Sequence, residues 1–203
     1  MRSSEREDRE EALLEAAVAV FRQEGFAGTS IRAITERAGC ATGTFYLYFP
    51  SKDDCFLALV DRLYHRVLAQ VAMSRTGAAT TPEKLWASIG AVLDVFGREH
   101  ALAHVVLVQG PGMGPVFRQR LDRIRQTFWE LIAEDLVESG LDPWVAACGA
   151  RALTGALGEV LIWQVDADAP DAPLKRAGEE VRRRFWMGYG LPPVASVAME
   201  DGR

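Results

Sequence analysis

Two stretches of the chain hold residue types whose spacing could do chemistry. The first runs from Gly28 to Phe49. Within it, small and hydroxyl residues (Thr42, Gly43, Thr44) precede a group of aromatic ones (Phe45, Tyr46, Tyr48, Phe49). A short helix with that front, placed after another short helix and a tight break, is the layout of a helix-turn-helix. Its second helix enters the DNA major groove with its N-terminal residues at the base edges. The second stretch holds His100 and His104, four apart, the spacing of two metal ligands on one helix. No third ligand is placed by the sequence, so these read as structural or surface histidines. The glycine-rich run Gly110 to Pro115 lacks the lysine and the preceding strand of a phosphate-binding loop. No nucleophile elbow or zinc-protease motif is present, so neither an enzyme, a cofactor nor a metal site is expected.

The elements that must position the first stretch follow from periodicity and caps. Ile31, Ile34 and Ala38 fall on one face of a helix near Ser30 to Ala38, with Thr29 as its expected N-cap. Gly39 supplies the left-handed residue that stops it. The second helix is expected near Thr42 to Phe49, closed by Pro50, which disfavours helix at the residue before it. Upstream, Ser4 and Glu7 fit a capping box for a first helix to about Glu24 with Leu14, Val18 and Phe21 inward. Downstream, Ser51 and Asp54 open a long helix to about Met73, and the run Ser74 to Pro82 reads as a loop. Further helices are expected over 82–99, 101–109, 115–139 and 143–164, with a last one reaching Gly190. An acidic loop covers 166–173. The fold class is all-α, about nine helices in total.

Composition bounds the partners. The chain has 203 residues, 49% hydrophobic and 25% charged, with a formal net charge of −5. Such an acidic chain is no general nucleic-acid coat. The local balance differs: residues 25–52 hold Arg32, Arg37 and Lys52 against Glu36 alone, whereas residues 1–24 carry four basic and seven acidic side chains. Three scattered cysteines (Cys40, Cys55, Cys148) suggest neither a disulfide framework nor a zinc site. No apolar run is expected to span a membrane and the start is charged rather than signal-like, so a cytoplasmic protein is expected.

Across Phe21 to Phe56 the chain resembles the tetracycline-repressor (TetR) family of bacterial regulators. The matching residues are Gly25-Phe26, Thr29-Ser30-Ile31, Ile34, Ala38-Gly39, Gly43-Thr44-Phe45-Tyr46, Tyr48-Phe49 and Ser51-Lys52. The resemblance implies a DNA-binding domain over residues 1–50, a ligand-binding and dimerisation domain over 51–190, and a loose tail over 191–203. It implies a homodimer formed through the last two helices, a near-palindromic double-stranded operator, and a small-molecule effector that releases it. Carried onto this sequence, the DNA-contacting positions are Thr42, Gly43, Thr44, Tyr46 and Tyr48. Threonine hydroxyls can bond base edges or phosphates, glycine admits close backbone approach, and tyrosines can bond phosphates. Lys52 stands at a helix start, where charge and dipole favour a phosphate, and Thr29, Ser30 and Arg32 clamp the backbone from the preceding helix. Phe45 and Phe49 are expected in the core. The sequence departs from the family at Ala41, which cannot cap the recognition helix, and at Thr42, where a basic or polar residue is usual. A rival reading follows from those departures: a helical ligand-binding protein that has lost sequence-specific DNA reading.

The C-terminal half is rich in aromatic residues. An effector cavity lined by Trp86, Phe96, His100, Phe128, Trp129 and Trp163 is expected between its helices. Ala152, Gly155 and Gly158 allow close approach of another helix, and with Val181, Phe185, Met187 and Gly188 they mark the expected dimer face. Glu159, in an apolar run, is expected to meet a cationic ligand, to be paired, or to face solvent.

Overall fold

Side-chain caps decide where the helices around the predicted motif begin. The structure, a computed structural model, describes residues 2–166 together with 180, 181 and 183. Its helices, in order, are α1 (Arg2–Gly28), α2 (Ile31–Arg37), α3 (Thr42–Tyr46), α4 (Lys52–Ser74), α5 (Thr81–Arg98), α6 (His100–His104), α7 (Pro115–Glu138) and α8 (Pro143–Asp166). Eight helices and no strand are present among the described residues, as the all-α expectation required. The expected last helix, the acidic loop beyond Asp166 and the C-terminal tail lie outside the described residues. The Ser51 hydroxyl accepts from the Asp54 backbone N–H at 3.1 Å and opens α4. Thr80 and Glu83 form a reciprocal capping box that opens α5.

Three local expectations are corrected. Ser30, not Thr29, caps α2, accepting from the Ala33 N–H at 3.1 Å. Ser4 lies inside α1, which already starts at Arg2. Helix α1 also continues past Gly25 to Gly28, with Gly25 at φ 72° marking a kink rather than an end. At the kink the Gly25 carbonyl accepts both the Thr29 N–H at 3.1 Å and the Thr29 hydroxyl at 2.7 Å.

The expected helix over 101–109 changes character part-way. After α6 the backbone widens into a π-helical turn over Val105–Gln109 and then tightens into a 3-10 turn over Gly110–Met113. Pro111 has no N–H to donate back into the helix, so an ordinary α ladder cannot pass through it. Gly110 is needed for a different reason. A Cβ there would stand 2.4 Å from the Phe117 ring.

One apolar cluster runs from Leu13 in α1 to Val165 in α8. Phe45 and Phe49 are in it, as their spacing predicts. Burial pushes the Cys55 thiol up to about 12, while Cys148 is exposed; all three cysteines are unpaired. Helix α8 overturns the expectation that no run could span a membrane, since its length and hydropathy suffice for one. Within this fold it packs Ala146, Ala150, Leu153, Leu157 and Leu161 inward, and it carries Arg151 and Glu159.

A buried charge fastens α7 to the α4–α5 corner. Asp135 is 3% exposed and accepts two bonds of 2.7 Å from the Arg75 guanidinium, and Lys84 lies 3.6 Å away. The Asp135 carbonyl also accepts from the Thr81 hydroxyl at 3.0 Å. Removing the carboxylate strands the Arg75 guanidinium in a mostly buried position, so Asp135→Ala is expected to cost about 3–5 kcal/mol. Urea unfolding measures it, and a loss below about 1 kcal/mol would contradict this role.

Candidate DNA-reading and effector sites

The turn between α2 and α3 is built from backbone bonds. Gly39, at φ 66°, adopts the left-handed conformation. The Cys40 N–H reaches the Thr35 carbonyl at 3.0 Å and the Gly39 N–H reaches the Glu36 carbonyl at 3.2 Å. These are the two bonds of a Schellman stop. Helix α3 then starts at Ala41, which has an extended N-cap backbone and no side-chain cap bond. Thr42 does not replace it; its hydroxyl lies 3.4 Å from the Thr35 hydroxyl. Packing holds α3 instead. The Phe45 ring is fully buried and lies 5.5 Å from that of Phe49.

The outer face of this unit carries most of the predicted site residues together. Thr42, Gly43 and Tyr46 are exposed, with Tyr46 at 56%, and Thr44 and Tyr48 are half-buried. Ser30 and Arg32 are exposed on α2, where the Arg32 guanidinium bonds Glu36 at 2.7 Å. From α1, the Arg6 guanidinium stands 5.9 Å over the Tyr48 ring. Sequence reasoning left two residues of this face out of the site: Leu47, 74% exposed beside Tyr46, and Arg37, exposed with no ion pair among the described residues. Arg37 was already visible in the local charge count. Nothing in the sequence pattern signalled Leu47.

Two predicted contacts are turned inward. Thr29 is 4% exposed with its hydroxyl on Gly25, which removes it from the outer face. Lys52 donates to the Phe26 and Thr29 carbonyls at 2.6 and 2.8 Å and sits 4.6 Å from the Phe26 ring centroid. Its ammonium satisfies carbonyls that the kinked end of α1 leaves without helical partners. It is therefore a strut between α1 and α4 rather than a free phosphate ligand.

A second feature lies among α4, α5, α7 and α8: a cavity of about 390 Å³, within the range of small-molecule sites. Of the expected lining residues, Phe96, Phe128 and Trp129 are on its wall. Trp86, His100 and Trp163 are not. Trp86 lies off the α5 face shared by Ser88, Ile89, Val92 and Phe96. His100 sits at the start of α6 with its Nε2 buried and unpartnered. Trp163, 62% exposed, is turned away from the side of α8 on which Thr154 and Gly158 line the cavity. Glu159 is exposed at the cavity rim.

The cavity wall touches the helices that carry α2 and α3. Phe117 lines the cavity, and its ring lies 6.4 Å edge-on to Phe56. Phe56 in turn lies 5.3 Å from both Phe21 and Phe26 on α1. Beside it, the Gln109 side chain donates to the Phe21 carbonyl at 2.8 Å.

Comparison with known proteins agrees with this geometry. Residues 13–59 match the family model described as bacterial regulatory proteins, tetR family. The chain is 26% identical over 126 residues to the fatty acid metabolism regulator protein of Bacillus subtilis (strain 168), covering 62% of this chain and 65% of that protein. The match thus spans slightly less than two thirds of this curated relative. Among solved structures, a TetR-like transcriptional regulator from Rhodococcus sp. RHA1 superposes with a TM-score of 0.74 at 27% identity, over 90% of this chain and 96% of that one. The transcriptional regulator FadR from Bacillus subtilis, solved in complex with stearoyl-CoA, superposes with a TM-score of 0.74 at 22% identity, over 86% and 96%.

The bare N-cap at Ala41 generates a test. Its backbone is already extended as a cap requires (φ −73°, ψ 149°). Ala41→Ser is therefore expected to stabilise the protein by about 1 kcal/mol, read as a higher urea midpoint at unchanged slope. An unchanged or lower midpoint would show that α3 gains nothing from a cap.

Proposed function

We propose that this chain is a regulator of the tetR type, a dimeric, ligand-responsive repressor that binds a near-palindromic operator and is released by a small-molecule effector. One observation carries the reading: an exposed α3 face and an apolar cavity are joined through one short aromatic path, Phe117 to Phe56 to Phe21 and Phe26. In this reading residues 1–50 read DNA, residues 51–190 bind the effector and dimerise, and 191–203 form a tail.

Thr42, Gly43 and Thr44 present the N-terminal end of α3 to base edges. Tyr46, Tyr48, Ser30 and Arg32 position it on the phosphates, and Arg6 and Arg37 join them. Leu47 offers an apolar contact to a thymine methyl. Thr29 and Lys52 hold this unit together from behind. An effector that displaces Phe117 shifts Phe56, and with it the angle of α1 to α4. Two half-sites are spaced by the DNA repeat, so a small change in the separation of two recognition helices weakens both contacts at once.

The effector class follows from the apolar wall and from the FadR neighbour in complex with stearoyl-CoA: a molecule with a long acyl chain. The chain acts on DNA and is not an enzyme, and it works in the cytoplasm. Dimerisation uses α8. The outward side of α8 exposes Trp144, Val145, Cys148, Ala152, Gly155 and Trp163, an apolar and small-residue face open to a second copy.

Two measurements test this. Titration with a palindrome from near the chain's own gene should give binding that falls steeply with salt yet exceeds binding to random DNA of equal length. Tyr46→Ala should lower that affinity about tenfold without changing the thermal midpoint. Equal affinity for both DNAs sinks the repressor reading in favour of a protein that no longer reads a site. Sedimentation should show a dimer that Trp163→Asp converts to monomer, because the carboxylate would be desolvated in the interface. A variant that stays dimeric rules this face out.

A further inference from the structure

Most polar groups on the wall of the cavity are already engaged. The Ser88 hydroxyl donates to the Lys84 carbonyl at 2.7 Å and accepts from Arg75. Thr154 donates to the Ala150 carbonyl and accepts from the Trp129 indole N–H at 2.7 Å. The Arg151 guanidinium lies 4.6 Å over the Trp129 ring and donates to the Ala147 carbonyl. Two groups are left over. The Tyr64 side chain, half-buried on the cavity wall, stands near the rings of Phe96 and Phe128, both at 6.5 Å, and its hydroxyl makes no hydrogen bond among the described residues. The Arg125 guanidinium, exposed on α7, has only a long 3.9 Å approach to Asp122.

These two groups act on each other. Burial pushes the Tyr64 phenol up to about 12, and the positive charge of Arg125 pulls in the opposite direction. The hydroxyl therefore stays a neutral donor throughout the physiological range. It opens on the cavity and is unpaired within the protein, so it is available to whatever fills that space. The apolar residues around it cannot accept; a ligand oxygen that displaces water can.

We infer that Tyr64 and Arg125 form the polar anchor of the cavity, receiving the oxygen-bearing, anionic head of a long-chain ligand whose tail lies against the apolar wall. This rests on the acyl-chain reading above and specifies which end is read and by what. The Tyr64 hydroxyl donates to a carbonyl or carboxylate oxygen, and Arg125 supplies a charged donor at the rim. Arg151 adds a second positive charge there, and Glu159 is the carboxylate among the lining residues, with Asp122 3.9 Å from Arg125. The shared chemistry, a carbonyl oxygen next to negative charge, has two sources: a free fatty acid, or an acyl thioester on a phosphate-bearing carrier.

Binding measurements on the full chain distinguish the outcomes, using octadecanoate, stearoyl-CoA, octadecanol and octadecyltrimethylammonium below their micelle concentrations. Wild type is expected to prefer one or both anionic ligands over octadecanol by about tenfold or more. The preferred ligand identifies the source. Arg125→Gln and Tyr64→Phe should each bring that preference to within about twofold and leave operator affinity unchanged, Arg125→Gln should also leave octadecanol affinity unchanged, and Arg125→Lys should restore part of the preference. If both variants keep the wild-type preference, the anchor is overturned while acyl binding stands. Tighter binding of the ammonium overturns it in favour of Glu159. If none of the four binds wild type, the anchor falls together with the acyl reading.

Discussion

Phe56 is the joint on which the molecule turns. Fully buried near the start of α4, its ring lies against Phe21 and Phe26 from α1 and against Phe117 from α7. Aromatic pairs at these distances and steep angles prefer a defined orientation, so the joint is stiff rather than soft. Gly110 exists in its present form because Phe117 occupies the volume a side chain would need. Lys52 closes the same region from the other side, binding two carbonyls released by the kink at Gly25. The helices that carry the outer face of α3 and the helices that wall the cavity therefore share one packed contact. A change on either side has to be absorbed there.

The recognition helix is poorly supported by its own sequence and well supported by its surroundings. Five residues are too few to hold a helix in water, and Ala41 provides no cap. What fixes α3 is the Schellman stop before it and the burial of Phe45 and Phe49 beneath it. This arrangement leaves its whole outer side to residues chosen for contact rather than for folding. The local excess of positive charge on this unit, in a protein of net charge −5, serves the same end: attraction toward phosphate where it is useful and repulsion elsewhere.

On the far side, α8 does two jobs with two faces. Leu153, Thr154, Gly158 and Ile162 look toward the cavity, Ala152 and Trp163 face outward, and Gly155, exposed and on the cavity wall, stands at the border between the two. That is why so apolar a helix is only partly buried within one chain. Exposed apolar area of this kind suits the second copy proposed above, which would cover it by symmetry. The proposed effector site and the proposed dimer face are thus adjoining sides of one rod that meet at Gly155, and the helix cannot tilt without affecting both.

Local rules determined much of this protein from sequence alone. The helix-turn-helix, the glycine stop at Gly39, the Ser51–Asp54 cap, the missing cap at Ala41 and the buried pair Phe45 and Phe49 all depend on neighbours within a few residues, so pattern and spacing reveal them. Membership of the cavity does not. Phe96, Phe128 and Trp129 face it while Trp86 and Trp163 do not, because helix phase and crossing geometry decide which aromatic residue turns inward, and composition cannot. Lys52 shows the same divide. Its place at a helix start suggested a phosphate ligand, yet only the folded chain brings the Phe26 and Thr29 carbonyls, 26 and 23 residues away, within reach of its ammonium. An unmet backbone carbonyl brought close by tertiary packing outcompetes a solvent-facing role, and no local pattern records that it will be there.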